Sequence, residues 1–254
     1  MKKTIALLST FLVCASAFGC ESKSGESTAE TTVAETNSLT EAEKSDGATT
    51  NQENLEKLEV KQQVFHITKT SNDKAYGYYC IEVENTNNVP IISRKGSIDF
   101  LDANDAILEH VDEYGLTPRT LKPNETAYSS GQFTVDIANA ENVAEMQVSF
   151  PAEQYNGTVV EALKFENLNA FQEGQYIKVT GKAINNTGKD LENSGGTIVL
   201  MDKDEMLLGG QFIPPFDKFS PDEEKTFQVN FYDTKIDFDS IDKIVVSGID
   251  YDIY

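Results

Sequence analysis

From Leu58 onward the chain falls into short runs rich in Val, Ile, Phe, Tyr and Thr, separated by Asn, Asp, Gly and Pro. Tyr79, Ile81 and Val83 alternate with Cys80, Glu82 and Glu84. Val179, Gly181 and Ala183 alternate with Thr180 and Lys182. A period of two residues is that of a strand with one face buried. Asn85 and Asn185 close these two strands, because Asn tolerates turn geometry. Two more continuously apolar runs follow, Ile98 to Leu101 and Ile198 to Met201. Each stops at a turn, Asp102-Ala103-Asn104-Asp105 and Asp202-Lys203-Asp204-Glu205. No long stretch carries a helical period, so the pattern predicts an all-β protein.

The two sets of runs are copies of one another. A shift of 100 residues places Phe65 on Phe165, Tyr76 on Tyr176, Asn85 on Asn185, and Leu108 on Leu208. After a two-residue slip, Leu121-Lys122-Pro123-Asn124-Glu125 falls on Phe219-Ser220-Pro221-Asp222-Glu223. Val143, Met146 and Val148 then fall on Ile241, Ile244 and Val246. The expected fold is two tandem immunoglobulin-like β-sandwich domains, 58–152 and 153–254, each long enough for one modest core.

Residues 20–57 are rich in Glu, Ser, Thr, Ala and Asn, with Val33, Leu39 and Leu55 isolated. Such a segment buries too little apolar surface to offset its ordering entropy and is expected to be a disordered acidic linker. Its reach is on the order of 35 Å. Before it, Lys2 and Lys3 precede an apolar run from Ile5 to Val13, which is too short to cross a bilayer as a helix. Residues 1–19 therefore read as an export signal. Ala15-Ser16-Ala17 offers an ordinary signal-peptidase site, whereas Gly19-Cys20 resembles a bacterial lipobox with Cys20 as the lipid acceptor. The second reading is preferred. It implies diacylglyceryl and fatty-acyl chains on Cys20 and a location on the extracytoplasmic side of the cell membrane. Two or more chains hold a protein stably where one does not.

The net charge is −21, and the chain from Cys20 carries 19 basic against 42 acidic residues, a net of −23. Such a surface repels phosphate backbones, so no nucleic-acid partner is expected. With Cys20 lipidated, Cys80 is the one free thiol and no intramolecular disulfide is available. Cys80 sits on the polar side of its alternation and is expected to be an unreactive, partly covered thiol. Two histidines, His66 and His110, leave little for a zinc site or a His-based catalytic device. Asp102, Asn104, Asp202 and Asp204 present oxygen atoms at the spacing of part of a calcium loop. They lack its glycine and closing glutamate, so turn formation is the preferred reading and no metal or other cofactor is expected beyond the lipid. Phe212, Ile213 and Phe216 make the stretch 209–219 apolar, either a partner-binding loop or a segment folded back over the end of a sandwich. Arg94, Lys95 and Arg119 are rare cations in an acidic module; a solvated loop is the preferred reading, with a dock for an acidic glycopolymer as the alternative.

The φ-x-φ-φ-Asp strand, the earlier strand closing on Asn and the Leu/Phe-x-Pro-x-Glu turn together resemble the FxLYD domain of extracytoplasmic proteins, many of them lipoproteins. Both copies match, over about three quarters of the chain. Leu101 and Met201 stand in the place of the family's Tyr, and Asn124 and Asp222 where a glycine is common. The resemblance implies an envelope-exposed β-sandwich module and supplies no catalytic residues. The expected function is therefore non-enzymatic: a lipid-anchored protein presenting two modules to an envelope protein or glycan. The rivals are an extracytoplasmic hydrolase built on paired carboxylates, and an accessory binding subunit of an envelope complex or transporter.

Overall fold

A computed structural model describes residues 55, 57–69, 73–113, 115–159, 163–232 and 235–250. The expected signal, Cys20 and most of the linker lie outside these residues. The first copy contains β1 (Glu59–Lys69), β2 (Lys74–Glu84), β3 (Ile91–Ile92), β4 (Gly96–Leu101), β5 (Ile107–Glu113), β6 (Thr120–Leu121), β7 (Thr126–Asp136), β8 (Glu145–Ser149) and β9 (Glu153–Gln154). The second contains β10 (Lys164–Glu173), β11 (Tyr176–Ile184), β12 (Leu191–Met201), β13 (Leu207–Phe219), β14 (Glu224–Phe231) and β15 (Lys243–Asp250). All pairings between them are antiparallel. The protein is all-β, as the alternation predicts.

Each copy closes a core between two sheets. In the first, β1-β2-β7 faces β5-β4-β8. Between them lie Tyr79, Ile81, Val83, Ile98, Phe100, Phe133 and Met146. The Phe100 and Phe133 rings stack with centroids 3.6 Å apart. In the second, β10-β11-β14 faces β13-β12-β15, and Val179, Ala183, Ile198, Leu200, Ile213, Phe219 and Phe227 fill the space. Leu55, assigned to the linker from sequence, packs against the first core.

The repeat shows most clearly in a shared corner. Asn85 is buried; its Nδ2 donates to the carbonyls of Val89 (3.0 Å) and Leu121 (3.1 Å), and its Oδ1 accepts from the Asn87 N–H. Asn185 does the same with Lys189 (2.6 Å), Phe219 (2.8 Å) and the Thr187 N–H. The following turn is also duplicated. Glu125 accepts from the Lys122 N–H and Glu223 from the Ser220 N–H. Asn124 and Asp222 adopt φ of 61° and 58°, and their N–H groups donate to the Asn85 and Asn185 carbonyls. Left-handed backbone is where Gly is cheapest and Asn or Asp next. That conformation accounts for Asn and Asp at these two turn positions.

The junction between the copies is paired to the first of them. β9 pairs with β3, and the Tyr155 N–H donates to the Pro90 carbonyl at 2.8 Å. The first module therefore runs through Tyr155 rather than ending at 152. By contact, the described residues from 55 onward group as one compact unit. A third apolar cluster joins the copies. Val64, Cys80 and Tyr128 of β1, β2 and β7 pack against Val199, Met201, Leu207 and Val245 of β12, β13 and β15. Both of these sheets are thus covered on both faces. The two copies meet through a seam with an apolar centre.

Candidate functional sites

The seam holds Cys80 and His66 of the first module. Cys80 is fully buried rather than partly covered. It is covered by the other copy: a Cβ placed on Gly210 would come within 2.5 Å of the Cys80 Sγ. A glycine inside a strand allows this close approach. Burial pushes the Cys80 thiol well above its ordinary range, which disfavours the reactive thiolate. Polar bonds fasten the rim. Gln62 donates to the Glu205 carbonyl and accepts from the Leu207 N–H, each at 2.9 Å. His66 Nε2 lies 2.8 Å from the Leu208 carbonyl oxygen. Thr117 and Thr197 bring their hydroxyls to 3.1 Å. A slot of about 10 Å³ beside His66, Cys80 and Gly210 has room for one water.

Glu82 sits at the same rim. Its Oε2 is buried without a hydrogen-bond partner. Burial is the main cause that raises its carboxyl above the ordinary value, with Glu205 and Glu84 adding to the effect and Lys61 and Tyr128 opposing it. In the first core, the Tyr79 hydroxyl donates to the buried Glu113 carboxylate, which also accepts from the Gly115 N–H. Burial and the Glu113 charge push the Tyr79 hydroxyl far upward. Of these residues, Tyr79 alone lines a cavity, the slot of about 10 Å³ at the seam.

The calcium candidates are turn builders. Asp102 Oδ1 accepts from the N–H groups of Asn104 (2.8 Å) and Ala106 (2.9 Å), which holds its carboxyl below the usual range. Asp202 Oδ1 accepts from Asp204 and Met206, both at 2.9 Å. Asp105 and Glu205 then take the left-handed turn position, with φ of 63° and 59°. Such side-chain-to-backbone bonds are the reason Asp opens tight turns. Among the described residues no three metal-ligating side chains cluster.

The apolar stretch proposed as a partner loop is strand. Phe212, Ile213 and Phe216 all lie in β13. Ile213 is fully buried in the second core. Phe216 packs on Phe219 with ring centroids 5.2 Å apart, and Lys225 lies near both rings. The segment is a paired strand of its own sandwich, with Phe212 and Phe216 half-buried and Pro214 and Pro215 exposed.

Two of the three rare cations, Arg94 and Lys95, share a cleft. The Ser93 N–H donates to the Arg119 carbonyl at 3.0 Å, so Arg94 and Arg119 lie on adjoining chain segments. Arg94, Lys95, Gly96, Ser97, Pro151 and Glu153 line a cleft of about 300 Å³. A second cleft of about 240 Å³, beside Lys122, Glu125 and Ser247, carries one carboxylate. His110 bonds Asp99 at 2.6 Å on the open face of β4 and β5, and that bond raises its pKa.

No protein-family model matches the chain, and no curated protein is similar to it. Among solved structures, the chain is similar to the exo-chitosanase CsxA of Amycolatopsis orientalis at 11% identity and a TM-score of 0.26. That match covers 72% of this chain and 25% of the chitosanase. Red sea bream transglutaminase matches at 8% identity and a TM-score of 0.21, over 75% of this chain and 32% of that one. The chain spans at most about a third of either structure's length. At these TM-scores neither likeness bears on function.

Proposed function

We infer that this is a lipid-anchored extracytoplasmic protein of FxLYD type that presents a fused pair of immunoglobulin-like sandwiches to an envelope protein or glycan, without catalysing a reaction. Gly19-Cys20 after a short apolar segment supports the anchor. The seam is the observation that favours presentation. It locks both modules into one body, so a surface on either is held in a constant orientation at the end of an acidic tether. The employment of Asp102, Asp202, Glu113 and Cys80 in turns, core and seam supports a binding role over a chemical one. The anchor is tested by Cys20→Ala in cells fed a labelled fatty acid. Label and membrane association should both disappear. Retention of either in the variant refutes lipidation at Cys20.

A further inference from the structure

The chain has 254 residues and two arginines, against 19 lysines. Both arginines come to one place. Ser93, next to Arg94, hydrogen-bonds the backbone of Arg119, and Lys95 follows directly. A guanidinium is a planar fork matched to carboxylate and phosphate, whereas an ammonium is a solvated point charge. A chain that otherwise uses lysine has placed one of its two forks at this cleft and the other on the adjoining segment.

The same place is where the two copies differ in backbone. In the second copy β12 is unbroken, and Ser194 pairs with Phe216 on one side and Asp250 on the other. In the first copy the equivalent strand is split into β3 and β4, with Ser93, Arg94 and Lys95 in the gap. The neighbouring strand is split too: β8 ends at Ser149, β9 begins at Glu153, and Pro151, which has no N–H, lies between. The ladder opens, and the opening is the cleft of about 300 Å³. That volume is at the small end of ligand sites.

The cleft is furnished for a ligand with two kinds of polar group. Arg94 Nε stands 4.0 Å from the Glu153 carboxylate, beyond hydrogen-bond distance, so its fork is not closed onto that acid. Lys95 reaches Asp112 at 2.9 Å. Ser93 is buried with an unpartnered hydroxyl at the break, and Ser97 lines the cleft. The cations accept an oxyanion, while Glu153 accepts hydrogen bonds from hydroxyl groups. The net charge of −21 repels a densely charged polymer and favours a ligand with one anionic group on an otherwise neutral unit.

We propose that the cleft of Arg94, Lys95, Ser97 and Glu153 binds a sugar unit bearing a single oxyanion, a carboxylate or a phosphate, on an envelope glycan. The site deepens the presentation reading by naming its ligand class. It is independent of the anchor, so loss of binding and loss of Cys20 labelling are separate outcomes. The test is calorimetric titration of the full-length protein in detergent with glucuronate, glucose 1-phosphate, glucose and a short acidic peptide. One or both sugar acids should bind at millimolar concentration and glucose should not; which acid binds identifies the oxyanion. Arg94→Lys, which keeps the charge and loses the fork, should weaken binding about tenfold, the range of one charge-assisted hydrogen bond. Arg94→Gln should abolish it. Arg94 and Lys95 side chains are 54% and 56% exposed, so both variants should keep the parent's circular dichroism and melting temperature. The proposal is overturned if neither sugar acid binds, if glucose or the peptide binds as well as they do, or if Arg94→Gln leaves affinity unchanged.

Discussion

Replacing Asn85 by Ala removes the fastener of the first module's corner. Two buried donor bonds, to Val89 and Leu121, are lost, together with an acceptor for the Asn87 N–H. A net bond contributes about 1 kcal/mol, and a buried group left unpaired costs more, so the variant should lose about 3 kcal/mol. For a folded unit of this size that corresponds to a fall of roughly 6–12 °C in melting temperature. The assay is urea unfolding followed by far-ultraviolet circular dichroism, since the chain has no Trp. Asn185→Ala should cost a similar amount, because its bonds are the same in kind and number. The two corners share no partners, so the losses should add to within about 0.5 kcal/mol. Asn85→Asp sharpens the test. At neutral pH it aims a carboxylate at two carbonyl oxygens and should be worse than Ala; protonation restores one donor and should reverse the order. A loss below about 1 kcal/mol for Asn85→Ala, within the range of ordinary surface changes, would refute the assignment of the corner as a fastener.

Two further outcomes follow from the seam. Val199→Asp puts a charge in the cluster around Cys80 and should split one unfolding transition into two while making Cys80 react with a thiol reagent in the folded protein; a single transition with a silent thiol would count against it. Glu82→Gln should stabilise the protein at pH 7 and lose that advantage as pH falls. The native carboxyl is raised above its unfolded value near 4.5, so the folded state binds the proton more readily and the cost of the charge disappears between the raised value and 4.5. An advantage constant from pH 7 to pH 4 would show that burial of the charge is not its cause.

Much of the fold was legible because the side chains repeat with the backbone. Asn85 and Asn185, Asp102 and Asp202, and Glu125 and Glu223 each do the same work in both copies. The seam was missed because a period-two pattern shows which face is apolar, not what an outward face meets. Its traces lie in differences between the copies. Val199 stands where the first copy has Asp99, and Gly210 where it has His110. Ile198 to Met201 is buried at every position, the signature of a strand covered on both sides. Cys80 looked half-open because its cover lies 130 residues away, at Gly210. The Arg94 cleft was half legible. Composition singled out its cations, but the break that opens it depends on where β3, β4, β8 and β9 stop.

The seam joins unlike faces. The first module offers its β1-β2-β7 side and the second its β13-β12-β15 side, which the repeat makes equivalent to β5-β4-β8. Such head-to-tail contact does not close on itself; repeated, it grows a filament. The next step would bring β10-β11-β14 of one molecule onto β5-β4-β8 of another. There the outward positions are Lys178, Thr180 and Lys182 on one side and Asp99 and His110 on the other, polar and solvated where the seam has Cys80, Val199 and Met201. Charge on these outward faces works against a further step of the same stacking, as polar faces on terminal repeats cap a solenoid.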